Sequence, residues 1–418
     1  MTDSGAIKSA PTSTFLENLA RRALFRLFEE LTVGCLVIEE TGRTYQFGQD
    51  RAQARIHATI HVQNPAAWLA LLRNGTVGAG ESYMFGYWDT PDLLQVIRLF
   101  VLNMHTVANI NSRRNYWYKL ASRVFYSMRR NSHRQARVNI AAHYDLGNDF
   151  FRLFLDSSMA YSSGIFKDRA ATLEQASIAK FQHICERLQL CSKDHLLEIG
   201  TGWGGLAIYA AKNFGCRVTT TTLSHEQYVY AADWIAREGL GDRITLLERD
   251  YRDLTGTYDK LVSVEMIEAV GHEYYSEYFR KCSMLLKPDG LLLIQAITIS
   301  DQRYEASLTN TDFIKRYIFP GGQLPSNSII MSNIAGATDM QVIGLEDITM
   351  DYAMTLRLWR ERFNNHLAEV RTLGCDESFI RMWRFYLCFC EGGFLERVIH
   401  TGQFLAAKPD FRALPRIR

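Results

Sequence analysis

Apolar and polar positions along the chain alternate with two different periods, and the changes of period mark out its organisation. From Phe15 to Leu31 apolar residues recur at helical spacing (Phe15, Leu16, Leu19, Ala23, Leu24, Leu27, Phe28, Leu31), with Arg21, Arg22 and Arg26 on the rest of the turn. Two β-rich segments follow, Gly34–Phe47 and Ala54–Val62. The second alternates through Ile56, Ala58, Ile60 and Val62, as a half-buried strand does. Short helices are expected at Pro65–Arg73 and Pro91–His105, with GESYMFGYWDT (Gly80 to Thr90) between them. Residues 14–110 therefore read as a small α+β domain without a catalytic constellation of its own. Residues 1–13, small and polar, read as a disordered tail.

Beyond His195 the pattern becomes a regular alternation of strand and helix. Strands are expected at His195–Ile199, Cys216–Thr221, Ile244–Glu248, Lys260–Val264 and Leu291–Ala296, then at Gln341–Ile348 and Val398–Ala406. This is the pattern of a doubly wound α/β sheet of the nucleotide-binding, Rossmann-like kind, in a domain spanning residues 141–418. A long helical stretch rich in aromatics, Tyr352 to Leu395, falls between the last two strands. That position suits a lid over the ligand crevice.

One stretch carries the first chemical signal. His195–Gly205 reads HLLEIGTGWGG, an apolar run that breaks into a glycine-rich turn and then a helical pattern. Gly200, Gly202 and Gly205 satisfy G-x-G-x-x-G, and a strand, a bare-backbone turn and a helix N-terminus together hold nucleotide-like ligands. A dinucleotide fold places an acid about 20 residues further on. Here the second strand ends in Thr219-Thr220-Thr221-Thr222-Leu223-Ser224, without a carboxylate. Glu198, directly before the glycines, is instead placed to meet a cationic or polyhydroxyl ligand, and Asp250, Tyr251 and Arg252 close the third strand. This favours S-adenosylmethionine over a dinucleotide. The turn then accommodates the methionine part, Thr222 to Gln227 the ribose, and Asp250 with Tyr251 the adenine. For Asp250 the plainer alternative is a helix cap.

Composition narrows the setting. The chain has 418 residues, 47% of them hydrophobic and 22% charged, and a net charge of +2, so any basic surface must be local. Its eight cysteines form no CxxC pair and no metal spacing, as expected of reduced thiols. No apolar run approaches the ~18 residues of a bilayer span and no signal peptide opens the chain, so the expected location is cytoplasmic. Residues Asn111 to Ile140 are locally basic: Arg113, Arg114, Lys119, Arg123, Arg129, Arg130, Arg134 and Arg137 occur without an acid, interleaved with Tyr116, Trp117, Tyr118, Phe125 and Tyr126. Such a linker helix (111–140) suits peripheral adsorption to anionic phospholipid. A solvated interdomain linker is the alternative, and nucleic acid is disfavoured because no binding fold surrounds the stretch.

Several separate motifs then occur in order. HYDLGNDFF (143–151), LLEIGTGWGG (196–205), TTLSHEQ (221–227), RDYRDL (249–254), VSVEMIEAVG (262–271), YIFPGGQLPS (317–326) and YAMTLRLWRERF (352–363) together resemble the cyclopropane-fatty-acyl-phospholipid synthase family over most of residues 34–407. The GESYMFGYWD segment is similar to that of its longer, bacterial members. The resemblance implies a class I methyltransferase fold, S-adenosylmethionine as cofactor and an unsaturated phospholipid acyl chain as substrate. A homodimer is a possible state, and related plant enzymes methylate soluble amines. By position it adds Tyr161 and Ser162 to a cofactor site comprising Glu198, Gly200, Thr201, Gly202, Gly204, Thr222, Leu223, Ser224, Gln227, Asp250, Tyr251 and Arg252. It also implies a bicarbonate ion held by Ser163, Glu268, Gln295, Ile297 and Tyr352, and a role for Cys390. Ser163 and Gln295 depart from the Cys and His common in the family. Both keep a hydrogen-bond donor but lose thiol and imidazole chemistry. The expected reaction is methyl transfer to the double bond, giving a carbocation that closes to cyclopropane when a base removes a proton. Loss of a different proton gives a methyl- or methylene-branched chain.

Overall fold

A computed structural model describes residues 13–104 and 146–412. The basic stretch 111–140 and almost all of the tail 1–13 lie outside the described residues. The N-terminal part comprises α1 (Phe15–Phe28), β1 (Cys35–Glu40), β2 (Arg43–Gly48), β3 (His57–Val62), α2 (Ala66–Met84), β4 (Trp88–Asp89) and α3 (Leu93–Leu102). The β-rich segment Gly34–Phe47 is a hairpin, because Thr41 and Gly42 both take positive φ and turn the chain back on itself. The expected helix Pro65–Arg73 runs on to Met84. Gly75, at φ 53° and ψ −128°, puts a kink in it rather than an end, so the first part of the Gly80–Thr90 segment is helical. The four strands are ordered β2-β1-β3-β4, with β1 and β3 parallel.

The remainder supplies α4 (Asn148–Arg152), α5 (Leu173–Arg187), β5 (His195–Ile199), α6 (Gly205–Phe214), β6 (Arg217–Thr222), α7 (His225–Arg237), β7 (Ile244–Glu248), β8 (Tyr258–Val264), α8 (Tyr275–Leu285) and β9 (Leu286–Ile299). It continues with α9 (Asp301–Thr309), α10 (Asn327–Ala337), β10 (Gln341–Asp347), α11 (Thr349–Asn365), α12 (Leu367–Thr372), α13 (Glu377–Leu395) and β11 (Ile399–Ala407). Seven strands form one sheet in the order β10-β11-β9-β8-β5-β6-β7. β7, β6, β5, β8 and β9 are parallel, and β11 and β10 add an antiparallel edge. The chain leaves β5 for β6 on one side and returns to β8 on the other. This reversal opens a crevice at the carboxyl ends of β5 and β8, the position where such sheets bind ligands.

Helices α11, α12 and α13 fill the interval between β10 and β11 and cover that crevice. Their inner face is aromatic: Trp359, Phe363 and Trp383 are among the largest fully buried side chains and join Phe150, Phe151 and Phe154 in one cluster. The cluster continues into Trp68, Tyr83, Val96 and Ile97 of the N-terminal part, so the lid has protein on both sides. Two glycines permit the close approach. A Cβ at Gly392 of α13 would stand 2.8 Å from Ile97 of α3, and one at Gly80 of α2 would stand 2.2 Å from the Phe313 ring. Ion pairs Arg98–Glu396 and Arg316–Glu81, with the Arg381 guanidinium 3.9 Å from the Tyr83 ring centroid, tie the rim.

Candidate active site

The crevice is a cavity of about 380 Å³ that runs from the glycine turn to the lid. At one end β5 stops at Ile199, and Gly200, Gly202 and Gly204 take φ of 102°, 53° and 99°. These left-handed angles strain any residue with a Cβ. The turn thus lays bare backbone along the cavity before α6 begins. Beside it Glu198 is buried, accepts from the Thr220 hydroxyl at 2.6 Å and lines the cavity. Burial pushes its carboxyl up to about 8, against the pull of Thr220 and Lys180. Lys180, 1% exposed, donates to the Ser162 hydroxyl at 2.6 Å, and burial brings its ammonium down to about 8.

At the other end two carboxylates leave the carboxyl end of β8. Glu265 sits at φ 49°. Its Oε1 accepts from the Ser163 backbone N–H at 2.9 Å and from Gln295 Nε2 at 2.8 Å, and its Oε2 accepts from the Tyr352 hydroxyl at 2.7 Å. Glu268 accepts the Ile297 backbone N–H on Oε1, while its Oε2 is enclosed without a partner. Both glutamates keep some surface because they face the cavity, yet protein encloses them on every other side. Enclosure raises both, and it pushes Glu268 up to about 8 with help from the neighbouring Glu265 charge. Three donors favour the ionised form of Glu265 and the Ile297 N–H alone serves Glu268 from another residue, so Glu265 is the member of the pair that carries negative charge more readily.

The remaining walls are largely aromatic and apolar, with Arg249, Asp312, Lys315 and Gln323 also in the lining. Tyr161, Trp203, Phe319, Tyr386, Phe389 and Phe394 line the cavity with Tyr352, whose ring stacks on Phe394 at 4.5 Å. The hydroxyls of Tyr161 and Tyr386 meet at 2.8 Å.

Of the residues expected from sequence, Tyr161, Ser162, Glu198, Gly200, Thr201, Gly202, Thr222, Leu223, Gln227, Tyr251, Glu268, Ile297, Tyr352 and Cys390 line this one cavity. The others stand behind it. Gly204 and Ser224 cap α6 and α7. Asp250 holds Arg252 through a bidentate pair (2.9 and 2.7 Å) and caps the turn after β7, so the plainer reading describes its geometry and neither residue faces the cavity. Ser163 offers its backbone N–H in place of its hydroxyl, which donates to the Gly164 carbonyl. Gln295 stands between Glu265 and Gln403. Enclosure raises the Cys390 thiol far above its usual value, which favours its protonated form. Two groups escaped the sequence reading, Glu265 and Lys180. Glu265 stands three residues before Glu268, the acid that the resemblance implies. Lys180 interrupts the apolar stripe Leu173, Ala176, Ile184 of α5, which is where a buried lysine announces itself.

The family described as mycolic acid cyclopropane synthetase matches residues 131–404. The tuberculostearic acid methyltransferase UfaA1 of Mycobacterium tuberculosis is 40% identical over 330 residues, covering 77% of this chain and 76% of its own. The cyclopropane-fatty-acyl-phospholipid synthase of Escherichia coli K12 is 37% identical over 356 residues, covering 84% and 88%. Among solved structures, mycolic acid cyclopropane synthase CmaA1 complexed with SAH and CTAB superposes with a TM-score of 0.61 at 31% identity, over 65% of this chain and 98% of that one. With the glycine turn and the parallel sheet that carries it, these matches place the chain in the cyclopropane synthase family of S-adenosylmethionine-dependent methyltransferases.

Proposed function

We propose that the protein methylates the double bond of an unsaturated acyl chain held in a phospholipid, and that the resulting cation closes to a cyclopropane. The observation that carries this reading is the composition of the cavity: a polar cofactor end opens onto a largely aromatic chamber that holds two enclosed carboxylates, Glu265 and Glu268, with Asp312 and Lys315 also in its lining. An alkene needs no hydrogen-bonding partner. It needs a dry apolar slot, a cationic methyl donor in line with the π bond, and negative charge or aromatic faces beside the cation that forms.

The residues fit the cofactor. A Cβ at Gly202 would meet nothing within 4 Å, so the turn leaves room for a ligand against its backbone. Glu198 and the Thr222–Gln227 segment offer acceptors to hydroxyl and ammonium groups. Bound there, S-adenosylmethionine supplies the electrophilic methyl group. The chain's own part is to exclude water, to hold the alkene against Tyr352, Tyr386 and Phe394, and to set the Glu265–Glu268 charge opposite the developing cation. Water let into the chamber would trap that cation as an alcohol.

Lipid as the carrier is supported by α1. Phe15, Leu16 and Leu19 are 81%, 53% and 55% exposed, and Arg22 and Arg26 are exposed on the same stretch of helix. Rings and leucines beside arginines suit the headgroup boundary of an anionic membrane, and a soluble amine would require neither. Among the described residues no helix is long and apolar enough to cross a membrane, so attachment would be peripheral.

The test is incubation of the protein with methyl-labelled S-adenosylmethionine and vesicles of unsaturated phosphatidylglycerol, read by mass spectrometry and proton NMR of the lipids. Label in the acyl chain with upfield cyclopropane signals is expected. Label with olefinic or methyl-branch signals in their place would overturn ring closure, and label only in added amines would overturn the lipid reading.

A further inference from the structure

The family resemblance implies a bicarbonate ion among Ser163, Glu268, Gln295, Ile297 and Tyr352, and this structure offers it no place. Donors from four of those positions already have acceptors. The Ser163 N–H, the Gln295 amide and the Tyr352 hydroxyl all converge on Glu265, and the Ile297 N–H goes to Glu268. A second anion would find these donors taken and would stand against like charge in an enclosed site. Ser163, Gln295 and Glu265 form one arrangement: a carboxylate on the chain occupies the centre of the cradle, and the side-chain amide behind it donates to it. Glu265 is also held at a cost. Its φ of 49° is one that a glycine would take without strain, and its backbone N–H is pinned to the Gln295 carbonyl at 2.8 Å.

We propose that Glu265 is the catalytic base of this enzyme, a built-in carboxylate that does the work of a bound carbonate anion and frees the reaction from bicarbonate. The inference rests on the function proposed above. After methyl transfer the acyl chain carries one positive charge. A C–H bond of the new methyl group breaks, its electron pair forms the closing C–C bond of the ring, and the proton passes to a Glu265 oxygen. The proton leaves for solvent once product departs, so alkene and sulfonium become cyclopropane, thioether and one proton. Tyr352 and Gln295 keep the carboxylate aimed and ionised until then.

Three proteins test this: the wild type, Glu265→Gln and Glu265→Gly, each first shown by calorimetry to bind S-adenosylmethionine. In carbon-dioxide-free buffer the wild type should methylate unsaturated phospholipid at the rate seen with added bicarbonate, and Glu265→Gln should lose roughly 100-fold or more in kcat with or without it. Glu265→Gly suits the backbone angle and clears the cradle. Carbon-13 NMR of labelled bicarbonate should show line broadening with this variant and none with the wild type. Stimulation of the wild type by bicarbonate, bicarbonate binding to the wild type, full activity of Glu265→Gln, or failure of Glu265→Gly to bind the ion would each overturn the proposal. A wild type that methylates only when bicarbonate is supplied sinks this inference and leaves the lipid reading standing. A wild type that methylates no unsaturated lipid sinks that reading, while the NMR arm still reports on the anion.

Discussion

The two ends of the cavity are built in opposite ways. The cofactor end is made by main chain: one continuous stretch, Glu198 to Gly205, sets a turn by left-handed glycine angles and needs few side chains. The acid end is assembled from distant segments around two acidic side chains: the loop at 161–163, the end of β8, the middle of β9, the first turn of α11 and the last turns of α13 meet there, with backbone N–H groups of Ser163 and Ile297 among the donors. A backbone site tolerates changes in what surrounds it and fails when a Cβ is added to the turn. A side-chain site keeps its shape when one atom is exchanged and loses its chemistry.

The largest effect should therefore come from an almost isosteric change at the acid end. Glu268→Gln keeps an acceptor for the Ile297 N–H and removes the one carboxyl oxygen that has no partner in the protein. Loss of a charge or proton acceptor at a reacting centre costs about 10²- to 10⁴-fold. Expected is a fall of at least ~100-fold in kcat with the Kd for S-adenosylmethionine changed only a few-fold. An equal loss in both would show that the two ends are a single unit.

The reciprocal change is Gly200→Ala. At φ 102° the methyl group is strained although its nearest neighbour, Met266, lies at an ordinary 3.5 Å. Strain of ~1–3 kcal/mol, relieved by distortion of the turn, predicts a roughly 5- to 150-fold weaker Kd for S-adenosylmethionine, measured by calorimetry. At saturating cofactor kcat should stay within a few-fold of the wild type. Unchanged affinity would mean that the turn does not hold the cofactor.

The same contrast explains what could be read from the sequence. The sheet, its glycine turn and the helical interval before β11 are written in contiguous periodic stretches, so HLLEIGTGWGG points to a nucleotide-like ligand, although the flanking segments are needed to say which. The acid end has no local pattern. Glu265 lies in the same ten residues as Glu268, yet nothing in VSVEMIEAVG says which acid receives the Tyr352 hydroxyl 87 positions later. Asp250 shows the same limit: an acid after a strand gives no local sign of the Arg252 partner it holds in the fold. The helix expected to stop at Arg73 runs on to Met84 because Gly75 kinks it without ending it, a distinction that residue type alone does not carry. Ser163 and Gln295 stand out in the sequence as departures, but their sense depends on a third residue that they both face, Glu265.

The smallest effect is one of pH, and it asks whether the two ends share charge. Glu198 at the cofactor end and Glu268 at the acid end are both pushed up to about 8, from an ordinary 4.5, and Lys180 between the charges is brought down to about 8. In the folded, cofactor-free protein the two carboxyls hold protons that the unfolded chain has released. Stability from this source is full below pH 4.5, falls as pH rises and is lost by about 8. Lys180 acts in the other direction, and only above 8, where the unfolded chain keeps the proton that the folded one gives up. A cationic ligand reverses the balance, since it favours the ionised carboxyls. Affinity for S-adenosylmethionine, divided by that for S-adenosylhomocysteine, isolates the sulfonium charge because the two differ by one methyl group and that charge. The ratio should rise between pH 6 and 8 by up to about tenfold per unit for each proton released, and flatten above. Calorimetry at several pH values measures it. A rise that survives in Glu268→Gln and disappears in Glu198→Gln would assign the charge to the cofactor end alone. Partial loss in each variant would show the sulfonium poised between the two ends, with the backbone turn on one side of it and the Glu265–Glu268 pair on the other.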